Sequence, residues 1–114
     1  MGRGVFTTSS LAEGELIEIA PVIVMSAADR KHIDQTFLHD YIFEWGDDHK
    51  RCCMSLGCVP LYNHSFAANC IYEMDFKKEI ISIMAVRRIK RGEELFINYN
   101  GSWDDGAPLW FQVK

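Results

Sequence analysis

No apolar run in the 114 residues approaches the length of about 20 that a membrane-spanning helix requires. An excess of basic residues is missing too. Twelve lysines and arginines stand against sixteen acidic residues, for a formal net charge of −4. Nucleic-acid binders present basic stripes to phosphate, so no direct nucleic-acid contact is expected; mild acidity fits a basic partner better. The four cysteines, Cys52, Cys53, Cys58 and Cys70, show neither CxxC spacing nor a paired Cys/His pattern, so no metal site is expected. Adjacent Cys52 and Cys53 begin no sensible disulfide framework, and all four are read as reduced thiols of an intracellular protein. There is no internal repeat and no low-complexity linker. The opening Met1-Gly2-Arg3-Gly4 leads into only a brief apolar stretch, unlike a signal peptide.

What is present is the composition of an ordinary folded globule, 48% hydrophobic and 25% charged. The length suits one domain around a single core. Hydrophobic periodicity reads as many short strands. Gly14 turns the chain into an extended stretch over residues 15–25, where Pro21 marks an edge or a break. Ser26-Ala27-Ala28-Asp29 matches a capping box with Asp in place of Glu and starts a short helix. That helix cannot run far, because Tyr41-Ile42-Phe43-Glu44-Trp45 is strand-like. Residues 56–65, with Gly57, Pro60 and Asn63, look irregular. Cys70, Tyr72, Met74 and Phe76 alternate with Ile71, Glu73 and Asp75, the period of a half-buried strand. After a reversal over residues 75–79, residues 80–86 are nearly all apolar, as a strand covered on both faces would be. Lys90-Arg91-Gly92 turns the chain again. Leu95, Ile97 and Tyr99 then alternate with Phe96 and Asn98 in a last strand that Asn100-Gly101 ends. A mainly β protein with one or two short helices follows.

Three segments carry more than periodicity. Gly2-Arg3-Gly4-Val5-Phe6 resembles the GxG motif that opens SET domains. Tyr62-Asn63-His64-Ser65-Phe66 with Asn69-Cys70 resembles their NHSxxxN signature. Gly92-Glu93-Glu94-Leu95-Phe96-Ile97-Asn98-Tyr99 resembles their GEEL…Y signature. Each is weak alone; the three in this order, across nearly the whole chain, are specific. The sequence thus resembles a minimal SET domain of the protein-lysine methyltransferases. The resemblance implies small curved β-sheets and a single domain over residues 1–114. It also implies a knot-like crossing, rare among folds, in which the segment after the last strand threads under an earlier loop. The implied cofactor is S-adenosyl-L-methionine, held on one face, and the implied substrate is a protein lysine entering from the other through a narrow channel. A histone-like or other basic tail would supply that lysine.

Site residues follow from the same resemblance. Tyr99 is the implied catalytic residue, its hydroxyl accepting weak CH···O contacts from the polarised methyl and orienting the amine. Gly2, Arg3, Gly4, Asn63 and His64 are implied to hold the cofactor. The glycines permit a close backbone approach that a Cβ would block, and Asn63 and His64 offer donors and acceptors. Arg3 stands where the family usually has an aromatic or other large residue. Tyr72 matches a position that often lines the lysine channel; Tyr41 and Trp103 are further channel candidates, and Trp110 and Phe111 would cover the adenine. Taken singly, Tyr99 reads more readily as a core tyrosine and His64 as a structural histidine; the surrounding motifs favour the functional assignment.

Such residues suit the chemistry. Methyl transfer from a sulfonium to an amine is an in-line displacement of an already activated methyl, so no metal and no covalent intermediate is needed. Aligning two bound reactants supplies roughly 7–11 kcal/mol. A free lysine, with a pKa of about 10.4, is neutral in only about one molecule in 2,500 at pH 7. Burial beside a positive sulfonium lowers that pKa. The cysteine-rich zinc-binding tail of many relatives has no counterpart, so residues 101–114 or a partner subunit would complete the channel, which is compatible with a homodimer. The expected setting is cytoplasmic for a bacterial protein and nuclear for a eukaryotic one. Two other readings compete: a non-catalytic SET-like interaction module, and a cysteine hydrolase built on Cys58 and His64. Intact Tyr99 and Asn63-His64 weigh against the first. The second lacks an orienting residue and an oxyanion hole.

Overall fold

The computed structural model describes residues 3–46 and 50–99. In chain order it contains β1 (Val5–Phe6), β2 (Leu16–Met25), helix α1 (Ala27–Ile33), a 3₁₀ turn η1 (Phe37–Tyr41), β3 (Phe43–Trp45) and β4 (Arg51–Ser55). A second 3₁₀ turn η2 (Val59–Leu61), β5 (Asn63–His64), β6 (Cys70–Asp75), β7 (Ile80–Ala85) and β8 (Glu94–Ile97) follow. Among the described residues the strands form a three-stranded sheet, ordered β1-β8-β5, and a five-stranded sheet, ordered β3-β4-β2-β7-β6. The mainly β expectation holds, with short strands and few helical turns. The implied crossing after the last strand falls on residues 100–114, outside the described residues.

β2 organises the larger sheet, and Pro21 explains how. Residues up to Pro21 pair with β7, and residues from Val22 onward pair with β4. Proline brings no N–H to a ladder, and it sits where the strand changes partner. Its carbonyl accepts from Leu56 N–H at 3.0 Å, while Val22 N–H donates to the Glu79 carbonyl at 3.0 Å. The strand therefore continues through Pro21 instead of breaking there. At its end the capping box forms as the sequence predicts: Asp29 N–H donates to Ser26 Oγ at 3.1 Å and Ser26 N–H to Asp29 Oδ2 at 3.4 Å. Arg30 Nη1 then reaches Glu44 Oε2 at 3.1 Å and fastens α1 to β3.

The core gathers Trp45, Tyr62, Ile81, Ile83, Ile89, Leu95 and Ile97, all buried. Three sequence expectations need correction. Tyr41 closes η1 and is not part of a strand, because Thr36 Oγ1 accepts from Leu38 N–H at 3.2 Å and starts a 3₁₀ turn there. β7 is deeply covered on one face only: Ile81, Ile83 and Ala85 are buried while Ile80, Ser82 and Met84 are half-buried, so its apolar run marks a central antiparallel strand. Residues 56–65 hold η2 and β5 instead of irregular chain throughout.

Candidate active site

β8 is the middle strand of the small sheet. Its antiparallel neighbour β1 carries the opening motif, and its parallel neighbour β5 is Asn63 and His64 themselves. The register Val5↔Leu95, Asn63↔Phe96 and His64↔Ile97 thus draws the three signature segments together. Asn63 Nδ2 donates to the Arg3 carbonyl and to Glu94 Oε2, both at 2.7 Å. Gly4 lies against that pair: a Cβ there would stand 2.6 Å from Glu94 Oε2 and 3.1 Å from Asn63 Nδ2. Asn69 is buried and braces β8 from its other side. Its Nδ2 donates to the Glu94 carbonyl at 2.9 Å and its Oδ1 accepts from Phe96 N–H at 2.8 Å.

Past Ile97 the chain leaves the strand, one residue pair earlier than alternation predicts. Tyr99 N–H donates to His64 Nδ1 at 3.1 Å instead of to a ladder carbonyl. The Tyr99 hydroxyl donates to the main-chain carbonyl of Tyr62 at 2.6 Å. The Tyr99 carbonyl accepts from the Tyr72 hydroxyl at 3.2 Å. Tyr99 is therefore gripped at its amide, its phenol and its carbonyl. Around it the Phe43 ring stands edge-on at 6.5 Å, the His64 ring lies tilted at 5.1 Å, and Phe43 meets Tyr72 at 5.6 Å.

Burial pushes the Tyr99 phenol up to about 12, with Asp40 and Tyr41 adding to the effect. Burial also pushes Tyr72 up to about 12, helped by Cys53 and Glu44. Both phenols keep their protons at neutral pH and act as donors. Burial lowers the pKa of His64, which favours the neutral ring. Because Nδ1 accepts from Tyr99, the ring proton belongs on Nε2. Among the described residues that buried Nε2 has no hydrogen-bond partner.

Of the residues singled out in the sequence, Arg3, Gly4, Asn63, His64, Tyr72 and Tyr99 come together. Tyr41 packs on Phe37 with ring centroids 5.9 Å apart and lies near enough to Tyr99 to raise its pKa. Gly2, Trp103, Trp110 and Phe111 lie outside the described residues. The cysteine-hydrolase pairing is not formed. Cys58 is exposed, Nδ1 of His64 takes the Tyr99 amide, and Nε2 meets no partner among the described residues.

The structure adds residues that sequence reading passed over. Tyr62 supplies the carbonyl for the Tyr99 hydroxyl, Phe43 packs on both Tyr72 and Tyr99, and Glu94 holds Asn63. Glu18 on β2 accepts from the Tyr62 hydroxyl at 3.2 Å and from Cys58 N–H at 2.7 Å, bracing the η2 segment. Burial, followed by the Glu18 charge, pushes the Tyr62 phenol far up. Glu94 stood in a recognised signature and could have been found there; Glu18, alone on a strand, gave no signal.

Known proteins resemble this chain in sequence and in fold. The chain is 32% identical over 112 residues to a histone-lysine N-methyltransferase, H3 lysine-37 specific, of Schizosaccharomyces pombe, covering 97% of this chain and 71% of that protein. It is 31% identical over 114 residues to human histone-lysine N-methyltransferase 2B, of which the match spans only 4%. Among solved structures, a candidate histone methyltransferase of Plasmodium falciparum superimposes with a TM-score of 0.66 at 27% identity, covering 88% of this chain and 89% of that one. The S-adenosylmethionine-bound Polycomb Repressive Complex 2 of Chaetomium thermophilum shares the fold at a TM-score of 0.67 and 23% identity, over 84% of this chain and 13% of that one. Residues 2–100 match the family model described as the SET domain, and the chain belongs to that family.

Proposed function

We propose that this chain is an S-adenosylmethionine-dependent protein-lysine methyltransferase centred on Tyr99. The observation that carries the reading is the Tyr99 amide seated on His64 Nδ1 at 3.1 Å, which joins two signatures distant in sequence at one point. The chain's own groups fit the cofactor. Gly4 lets the Glu94–Asn63 pair press against the opening segment, where a Cβ would stand 2.6 Å from Glu94 Oε2, and a bound polar group would satisfy His64 Nε2, which has no partner among the described residues. Arg3, Gly4, Asn63 and His64 would hold it, with Gly2 as a further candidate. S-adenosylmethionine, when bound, supplies a methyl group activated on a positive sulfonium.

The protein's part is orientation and exclusion of water. The Tyr99 hydroxyl donates its proton to the Tyr62 carbonyl, so its oxygen would meet the methyl or the amine as an acceptor. Its raised pKa keeps it from becoming a phenolate that would hold the lysine charged. Phe43 and Tyr72 beside it form an apolar wall, and burial against such a wall lowers an amine's pKa. Tyr41 and Trp103 complete the channel in this reading.

The substrate is a protein with an exposed lysine. The curated relatives are named for histones, and a net charge of −4 suits a basic tail, so a histone tail in a nuclear setting is the first choice. Direct nucleic-acid binding forms no part of the reading. A homodimer whose second subunit closes the channel is its finer version. Incubation with labelled cofactor and a mixture of basic proteins, followed by mapping of the labelled residue, tests it. Label on a lysine supports it. Cofactor binding without any transfer would favour the non-catalytic interaction module.

A further inference from the structure

Resting on that reading, we propose that the His64 imidazole is a positioning residue for Tyr99, working as a fixed Nε2–H tautomer. Nδ1 has a single in-plane lone pair, and the Tyr99 N–H takes it at 3.1 Å. His64 follows Tyr62 by two residues, and Tyr62 holds the other end of Tyr99 through the phenol at 2.6 Å. One short segment thus fixes both the backbone and the oxygen of Tyr99. The His64 ring is itself wedged between the edge-on Phe66 ring at 4.4 Å and the Tyr99 ring at 5.1 Å, and cannot turn freely.

Protonation of Nδ1 would set one N–H against another and release the Tyr99 amide, leaving a half-buried donor unpaired. The ionisable groups on the elements packed about His64 are Tyr99, Tyr62, Glu94 on β8, which Asn63 engages, and Arg3, whose carbonyl Asn63 also engages. None of them offsets the burial that disfavours the charged ring. The neutral tautomer therefore persists through neutral pH. Below the ordinary imidazole value of about 6.5, turnover falls as the clamp opens.

Long-range ¹H–¹⁵N spectra of the wild-type chain test the tautomer without any assay of activity. The expected result is an unprotonated Nδ1 and a protonated Nε2 between about pH 7 and 9, with a pKa under the ordinary value. An Nδ1–H tautomer or a raised pKa overturns the proposal. Kinetics supply a second measurement. His64→Phe keeps a ring without an acceptor and is expected to lower kcat roughly tenfold to a hundredfold through misplacement of Tyr99. Cofactor affinity should weaken too, because Nε2 is lost, so the positioning role is read from kcat at saturating cofactor. His64→Asn, whose amide oxygen falls close to the Nδ1 position and does not titrate, should rescue much of that loss and leave an acid limb that follows the substrate amine alone. Equal impairment in both variants, or a loss confined to cofactor binding, overturns the positioning role. If His64→Phe does not fold, the spectrum decides alone. A wild-type chain that transfers no methyl would sink the methyltransferase reading while leaving the tautomer to be judged by its spectrum.

Discussion

The Tyr99 hydroxyl donates to the Tyr62 main-chain carbonyl across 2.6 Å, so the phenol is oriented by backbone that immediately precedes Asn63. A carbonyl cannot swing as a side chain can. The direction of the Tyr99 oxygen is therefore tied to the fold itself, and the oxygen cannot serve as a proton donor elsewhere without breaking that bond.

Tyr99→Phe removes the oxygen and keeps the ring against Phe43 and His64. Turnover should fall by about a hundredfold or more, the scale of losing an aligned contact to the reacting atoms. Cofactor affinity should barely move, since Asn63 and Gly4 are untouched. Single-turnover methyl transfer beside a cofactor titration checks both. Undiminished turnover would remove Tyr99 from the mechanism.

Gly4→Ala places a methyl 2.6 Å from Glu94 Oε2. The carboxylate must shift, and Asn63 loses a charge-assisted partner. Cofactor affinity is expected to drop by roughly tenfold, equivalent to about 1.4 kcal/mol. Adding Glu94→Ser relieves the clash, so the double variant should lose less than the two single effects combined. Strict additivity in isothermal titration would show that the two residues act independently.

Glu18→Ala strands the Tyr62 hydroxyl and Cys58 N–H. Urea denaturation should report a loss of about 1–2 kcal/mol, the cost of two hydrogen bonds in a half-buried setting. Glu18→Gln, which retains an acceptor oxygen, should lose less. Should the Ala variant be as stable as wild type, water replaces the carboxylate and the brace is unimportant.

Stability should decline on the alkaline side. Tyr72 and Tyr99 are pushed up from their ordinary value of about 10, and Cys53 and Cys70 from about 9, all to about 12. The unfolded chain gives up these protons before the folded one does, so it binds fewer protons as pH rises and stability falls. The contribution is complete below about pH 9 and is lost progressively toward pH 12. Tm measured from pH 7 to 11.5 should fall steadily above about 9, and Tyr72→Phe should soften the slope. A level Tm across that span would show that the four groups titrate as they do in free chain.

Local rules made several elements readable. Ser26 and Asp29 announce α1 because capping is settled within four residues, and the alternation from Cys70 to Asp75 announces β6 because one face meets the core. The alternation extended to Phe76 overshoots: that residue lies past the strand, its ring edge-on to Trp45 at 4.8 Å. The change of partner at Pro21 was hidden, since it depends on where β4 and β7 arrive. Tyr99 looked like a strand residue because Leu95 and Ile97 alternate with it. It leaves the ladder because His64, far away in sequence, offers its amide a better-placed acceptor. The grouping of Asn63, His64 and Tyr99 could be read only through family resemblance; nothing in their spacing requires them to meet. Glu18 was illegible for the same reason, its two partners lying some forty positions downstream.

The three-stranded sheet draws on Val5–Phe6, Asn63–His64 and Glu94–Ile97. A nascent polypeptide must therefore free the last of these from the ribosome before any reacting geometry exists. Assembly waits on the contacts of β1 and β5 with β8, which span a long stretch of chain and are slow to close. A chain that has emerged only as far as β7 is bound to be inert, and methyl transfer becomes a readout of the arrival and folding of β8.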